Sequence, residues 1–177
     1  MDDELKSEAH LLVKYLKIVG KRTILLSGDK KEKCLAVASA LEIDECHYEM
    51  LPSEKMALVQ KISKTENTVM LGDGINDAPA LSTAHVGISF GKATEIAQNS
   101  SEVIILGKEE LKKVISLVKG SKETLKTIHQ NLFWALAYNV IAIPIAAIGL
   151  LSPIIAAGSM AFSDLIVIGN SLRIRFK

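Results

Sequence analysis

The sequence predicts an α/β domain built on a parallel sheet, followed by a hairpin of two transmembrane helices. Over residues 4–126, short apolar runs alternate with segments whose apolar residues recur every three or four positions, which is typical of parallel strands joined by helices. Two apolar runs follow at residues 132–151 and 154–171, each about long enough to cross a hydrocarbon core. We therefore divide the chain into a domain at residues 1–126 and a hairpin with a basic tail at residues 127–177.

The elements of the domain are predicted in order from this alternation. Apolar residues between Leu5 and Leu16 lie on one helix face, and Gly20 ends that helix. Pro52 favours the first turn of another helix. The remaining predicted elements are helices at about 31–41, 52–63 and 109–129 and strands at about 23–26, 46–49, 68–71, 86–89 and 103–106.

Composition and charge exclude several classes of function. A net charge of +1 argues against a nucleic-acid-binding protein, which carries a strong basic excess. Cys34 and Cys46 are not part of a CxxC motif, so the sequence predicts reduced thiols rather than a disulfide framework or a zinc ribbon. The charged N-terminal segment lacks the apolar core of a signal peptide.

The apolar hairpin carries few polar side chains. Asp164 is the only charged residue between Asn131 and Ser171. A carboxylate at membrane depth costs at least ~2.5 kcal/mol, so we expect Asp164 to face protein, a partner or an ion path. Thioether sulfur suits Cu⁺, and carboxylate suits harder divalent ions. Further ion-ligand candidates are Tyr138, Asn139, Met160 and Ser163, for which interhelical hydrogen bonding is an equal alternative.

Basic residues flank the hairpin on both sides. Lys119, Lys122 and Lys126 precede the first run, and Arg173, Arg175 and Lys177 follow the second. The positive-inside bias therefore predicts an integral protein of the cytoplasmic membrane with both termini cytosolic. The alternative is a hairpin buried in a water-soluble helical core.

Polar residues follow two of the predicted strands. In parallel sheets, chemistry gathers beyond the carboxyl ends of the strands. Ser27 and Gly28 follow the first strand and offer a hydroxyl and a backbone amide to a phosphate oxygen. The string Gly72–Asp77 offers carboxylate and amide oxygens, which suit Mg²⁺ together with substrate phosphate. Lys55 offers a compact positive charge to a phosphoryl group.

The strings LLSGD, LPSEK and VMLGDGINDAPAL together resemble the second half of the phosphorylation domain of P-type ATPases, within the haloacid-dehalogenase superfamily. The continuations HVGISFGKATEIA and HQNLFWALAYNVIAIPIAA are similar to the heavy-metal-transporting, copper-type class, whose catalytic domain is followed by two final membrane helices. The resemblance covers nearly the whole chain. It implies an incomplete HAD-like, Rossmann-type parallel sheet followed by a transmembrane hairpin.

The resemblance implies roles for individual residues. Asp73 would bind Mg²⁺ and Asp77 would support it, while Asn76, Lys55, Ser27 and Gly28 would contact the phosphoryl group. A further set would bind the transported ion, most strongly Cu⁺: Tyr138, Asn139, Met160, Ser163 and, in place of the second serine of M-x-x-S-S, Asp164. Pumps of the zinc and cadmium type also carry an aspartate on the last helix, but at the position of Met160, so Zn²⁺ or Cd²⁺ is the alternative ion.

The motif D-K-T-G-T, which carries the phosphorylated aspartate of the family, is not in this sequence. We therefore expect no ATP hydrolysis by these residues alone, because the nucleophile needs its own in-line position. ATP would enter only if a nucleotide-binding domain were supplied. The expected partners are the lipid bilayer and an upstream ATPase fragment or an intact pump. The alternatives are a non-catalytic subunit or regulator of such a pump and a membrane-tethered HAD-type phosphatase.

Overall fold

The computed structural model describes residues 7–73, 75–91, 95–107, 110–149 and 152–173. These residues separate into two compact units, the first ending at Ser116 and the second beginning at Leu117. The first unit is α/β and the second is helical.

Strands and helices alternate along the first unit, as the sequence predicts. The helices are α1 (Ser7–Ile18), α2 (Lys31–Leu41), α3 (Pro52–Ser63), α4 (Ala78–Thr83) and α5 (Glu95–Asn99), with a 3-10 turn at Ile75–Asp77. The strands are β1 (Ile24–Leu26), β2 (Glu45–His47), β3 (Val69–Gly72), β4 (Val86–Phe90) and β5 (Val103–Ile105).

All strand pairs are parallel, but they form two sheets instead of one. Strand β1 pairs with β2 through the register Leu25↔Cys46. The second sheet has the order β3-β4-β5, with Met70 opposite Gly87. In the part of the chain that the structure describes, no strand pairs with the second edge of β1 or of β3. The fold is therefore parallel α/β, with its sheet divided between β1 and β3.

The two sheets share one hydrophobic cluster. Val59 of α3 and Ala80 and Ala84 of α4 are buried together, and Leu26 of β1 and Met70 of β3 pack against them. Strands from both sheets therefore rest on the same helices although they do not pair with each other. A second cluster, formed by Leu12, Ile88, Ile105 and Val114, covers the β3-β4-β5 sheet.

Local hydrogen bonds fix the ends of several helices and strands of the α/β unit. Helix α3 begins at Pro52, and the Leu51 amide donates to Glu54 Oε2 at 2.7 Å. At the opposite end of β1, Asp44 Oδ2 accepts hydrogen bonds from the amide and the hydroxyl of Thr23, both at 2.8 Å. These two bonds lower the pKa of Asp44 because they stabilise its carboxylate.

The apolar region forms two helices, α6 (Glu110–Ala147) and α7 (Pro153–Leu172). The predicted helix at 109–129 and the first predicted span are thus one continuous helix, which includes Pro144. Gly149 has a φ of +75° and lies in the turn that follows α6. Among the described helices, α6 is the one long and apolar enough by length and composition to cross a membrane. Arg175 and Lys177 of the predicted basic tail lie outside the described residues.

Candidate functional site

A lysine and an aspartate meet at the carboxyl end of β3. Lys55 lies in the first turn of α3, and its Nζ is 2.8 Å from Oδ1 of Asp77. Only 10% of the Lys55 side chain and 18% of the Asp77 side chain are exposed. Two groups that the resemblance assigns to phosphoryl chemistry are therefore brought into direct, largely desolvated contact.

Gly72 makes room for this pair. A Cβ built on Gly72 would lie 2.8 Å from the Cβ of Asp77, closer than side-chain carbons approach. The absence of a side chain at the last residue of β3 lets Asp77 pack over the end of the strand. Gly72 is a site residue that sequence reasoning does not identify by itself, and its place in the string GDGIND is the signal that points to it.

Asp73 and Asn76 are exposed beside the pair. Asp73 directly follows β3, and Asn76 lies in the 3-10 turn. Because Asp77 already binds Lys55, the carboxylate of Asp73 is the more accessible ligand for a cation. Mg²⁺ usually binds one or two carboxylates and completes its shell with water and substrate phosphate, so this oxygen set fits Mg²⁺ in part. In the part of the chain that the structure describes, no group of three or more His, Cys, Asp or Glu could hold a metal ion.

Ser27 and Gly28 form a separate turn after β1. The Ser27 hydroxyl donates to Asp29 Oδ2 and accepts from the Asp29 amide, both at 3.1 Å. The Met50 carbonyl lies 3.3 Å from the position of a Cβ on Gly28, so this residue also has little room for a side chain. No hydrogen bond between described residues joins this turn to Lys55 or Asp77.

The candidate ion ligands of the hairpin differ in their exposure to solvent. Tyr138 is half-buried, and its hydroxyl is 2.8 Å from the hydroxyl of Ser159 on α7. Ser163, one turn after Ser159, is half-buried as well. Asn139, Met160 and Asp164 are exposed instead. The structure therefore does not bring all five residues together.

Amide side chains join α6 and α7 at one end of the hairpin. Asn170 donates to Asn131 Oδ1 at 2.9 Å, and Asn131 donates to the Ser171 hydroxyl at 2.8 Å. Together with the Tyr138–Ser159 bond, these contacts pack α7 against α6. Hydrogen bonds of this kind commonly join helices in membranes.

Comparisons with known proteins agree with this geometry. Residues 1–85 match the family model described as haloacid dehalogenase-like hydrolase. The chain is 43% identical over 174 residues to the cation-transporting P-type ATPase B of Mycobacterium bovis, covering 98% of this chain and 23% of that protein. It is 41% identical over 174 residues to the copper-exporting P-type ATPase of Staphylococcus saprophyticus, covering 98% of this chain and 22% of that protein.

A solved structure is similar over nearly the whole length of the chain. A zinc-transporting PIB-type ATPase in its E2.Pi state superposes with a TM-score of 0.90 at 28% identity, over 97% of this chain and 28% of that one. The α/β unit therefore has a HAD-like fold. The chain is also similar in sequence to copper- and cation-transporting P-type ATPases, and it spans about a quarter of the length of the curated relatives it matches.

Proposed function

We propose that the chain is the C-terminal portion of a heavy-metal-translocating P-type ATPase, with Cu⁺ as the transported ion. One observation carries the proposal: the same chain holds the Lys55–Asp77 pair at a parallel strand end and continues into a long apolar helix. A phosphoryl site and a membrane segment in one chain are what coupling of ATP hydrolysis to transport requires.

At the phosphoryl site, each residue has a distinct task. Lys55, held by Asp77, directs the remaining N–H bonds of its ammonium group toward a phosphoryl oxygen. Asp73 would hold Mg²⁺, and the ion would supply positive charge to the transferred group. Asn76 and the Gly28 amide donate further hydrogen bonds. Ser27 joins them after exchanging its bond to Asp29 for one to phosphate.

The exposed surface of the hairpin supports a membrane location. Large apolar side chains cover the outside of both helices, and in water such a surface would be a large apolar patch. They include Leu132, Phe133, Trp134, Leu136, Val140, Ile141, Ile143, Phe162, Leu165 and Ile168. We propose that these residues contact lipid, with both termini in the cytosol.

The exposed polar residues of α7 indicate further protein around the hairpin. Met160 and Asp164 are four residues apart and lie on one helix face. A carboxylate on that face is too costly to leave against lipid. We propose that other membrane helices cover this face and that Cu⁺ binds there, with Asn139 and the hairpin residues Tyr138 and Ser163 nearby.

The divided sheet indicates a missing strand. β1 and β3 rest on the same cluster, and each has one edge that pairs with no strand among the described residues. One additional parallel strand between them would satisfy both edges and would end beside Ser27 and Asp73. We propose that this strand carries the phosphorylated aspartate and comes either from preceding sequence of a longer chain or from a second polypeptide, together with the nucleotide-binding domain.

Complementation tests this proposal. The chain is co-expressed with the part of the Staphylococcus saprophyticus pump that precedes the matching segment, and membranes are incubated with radiolabelled ATP and Cu⁺. We expect acid-stable phosphoenzyme only when both polypeptides are present. Lys55→Met should abolish it, whereas Lys61→Met, which changes an exposed lysine of the same helix, should not.

Two outcomes would contradict the proposal. Phosphoenzyme formed by the 177-residue chain alone would mean that it holds its own nucleophile. Co-purification of the two polypeptides without phosphoenzyme would favour a non-catalytic subunit.

A further inference from the structure

The part of α6 that precedes the predicted membrane span carries an apolar groove on one side. Six residues of the second unit line it: Leu117, Gly120, Ser121, Thr124, Leu125 and Ile128. All six are exposed, and the leucine and isoleucine side chains among them are 38% to 54% exposed. None of the residues that the structure describes therefore covers this groove.

The groove continues the side of α6 that packs against α7. Half-buried residues recur along α6 every three or four positions, which is the spacing of one helix face. They include Thr127, Asn131, Ala135 and Tyr138. Asn131 and Tyr138 bind residues of α7. The same spacing, followed toward the start of α6, leads to three residues of the groove: Thr124, Gly120 and Leu117.

Helix α7 covers only one part of this face. Its Asn170 and Ser171 contact Asn131 of α6, and the helix ends at Leu172. At about 1.5 Å per residue, Leu117 lies about 21 Å farther along α6 than Asn131. In the described part of the chain, the packed face of α6 thus loses its partner where α7 ends.

Gly120, in the middle of the groove, has no structural explanation within the chain. A Cβ on this residue would meet no atom within 4 Å, so its own surroundings do not require a glycine. Glycine inside a helix is destabilising relative to alanine. Small residues at helix contacts let a second helix approach closely. Gly120 therefore indicates space for a side chain that another helix supplies.

Lipid does not account for the groove. The groove precedes the predicted span, which begins at Leu132 and is already long enough to cross a hydrocarbon core. Lys119, Lys122 and Lys126 share the opposite face of the same turns and are exposed. A helix segment with lysines on one face and an apolar opposite face is typical of a surface helix that packs against protein.

We propose that this groove is the docking surface for one helix of the part of a P-type ATPase that this sequence does not contain. The proposal rests on the proposed function. The partner that fits is a helix with an apolar stripe, from which a large side chain such as leucine or phenylalanine enters the space above Gly120. Its docking would extend the packed face of α6 beyond the end of α7.

Two other occupants fit this groove less well. A second copy of the chain would contribute the same six residues, whereas a stable interface between separate proteins has about 20–30 residues on each side. A helix of the same pump would already be tethered through the missing strand, so a small contact suffices. The segment Arg173–Lys177 carries three cations in five residues, which makes it a poor cover for an apolar groove.

Site-specific photo-crosslinking tests the proposal. A photoreactive benzoylphenylalanine replaces Leu125, and the chain is co-expressed with the part of the Staphylococcus saprophyticus pump that precedes the matching segment. We expect irradiation of the membranes to join the two polypeptides, and mass spectrometry should place the adduct in an apolar helix of the partner. The same group in place of Lys122, on the opposite face, should give little adduct.

A second variant fills the groove while it preserves the helix. Leucine favours a helix more than glycine does, so Gly120→Leu should stay folded, which circular dichroism reports. Its side chain occupies the space of the partner, so adduct from position 125 should fall at least about fivefold. Lys122→Leu adds the same side chain on the opposite face and should change the yield by less than about twofold.

Four results would overturn the proposal: no adduct from position 125, an adduct between two copies of the chain, an adduct with residues 173–177 of the same chain, or a yield that Gly120→Leu leaves unchanged. Phosphoenzyme that depends on Lys55 but forms without the groove adduct would contradict the docking surface alone. The groove adduct without phosphoenzyme would contradict the pump assignment alone.

Discussion

Lys55 Nζ and Asp77 Oδ1 are 2.8 Å apart although the two residues are separated by 22 positions in the sequence. The pair joins the first turn of α3 to the residue that precedes α4. Its side chains are largely excluded from water, so neither charge can lose its partner without a cost. One contact thus serves the stability of the α/β unit and the position of the ammonium group that we propose binds a phosphoryl oxygen.

Replacement of Lys55 by Met should destabilise the α/β unit by about 1–3 kcal/mol, because Asp77 is left as a largely buried and unpaired carboxylate. Denaturant unfolding of the full chain in detergent measures this change. Lys61→Met, an exposed position on the same helix, should alter stability little. A Lys55→Met/Asp77→Leu double variant as unstable as the sum of both single variants would show that the pair is not energetically coupled.

Replacement of Gly72 by Ala should destabilise the protein by about 1–3 kcal/mol, because the new Cβ overlaps the side chain of Asp77. The matched control is Gly120→Ala in α6, where a Cβ meets no atom within 4 Å. In the middle of a helix that change should stabilise by about 0.5–1 kcal/mol. Thermal unfolding gives the change in melting temperature for each variant. An equal change in the two variants would show that Gly72 is not closely packed.

Asp44 should make the free energy of unfolding depend on pH under acidic conditions. The hydrogen bonds from the Thr23 amide and hydroxyl lower the pKa of Asp44 in the folded protein below the ordinary value of an aspartate. The stabilisation is therefore fully present above that value and is lost as the pH falls through the folded pKa. Asp44→Asn should lower the melting temperature at neutral pH.

The difference in melting temperature between the unmodified chain and Asp44→Asn should become smaller as the pH falls below about 4. Glu49→Gln, at an exposed acidic position in the turn after β2, serves as the control. If the difference in melting temperature between the unmodified chain and Asp44→Asn stayed constant with pH, the carboxylate charge of Asp44 would not contribute to stability.

Replacement of Tyr138 by Phe should loosen the helical hairpin. The hydroxyl contact with Ser159 is lost while the ring remains, and interhelical hydrogen bonds in membranes contribute about 0.6 kcal/mol on average. Fluorescence energy transfer between labels on α6 and α7, followed during denaturation in mixed micelles, measures the change. Phe133→Leu, which alters an exposed ring on α6, should leave the transfer curve nearly unchanged.

Much of the secondary structure could be predicted because the local signals are strong. The predicted helices at 31–41 and 52–63 have the bounds of α2 and α3 in the structure. Pro52 and the Leu51–Glu54 hydrogen bond explain why α3 starts so sharply. Helices α4 and α5 were not predicted because six and five residues are too few to show a helical period.

The division of the sheet could not be predicted from periodicity. Apolar runs such as Thr23–Leu26 and Thr68–Leu71 indicate buried strands but not which strand lies beside which. The positions after the strands and the resemblance both point to the residues of the candidate site, but the Lys55–Asp77 distance requires the fold. In the hairpin, sequence spacing did not separate half-buried Tyr138 from exposed Asp164, because helix rotation is set by packing.

The open edges of β1 and β3 have a consequence for the life of the chain in a cell. Unpaired parallel edges are templates for unwanted strand pairing, so copies that lack the complementary strand are exposed to aggregation and to proteases. We therefore expect the half-life of the chain to lengthen when that strand is present. Its abundance would then follow the supply of its complement, which would set the proportion of the two parts without a dedicated regulator.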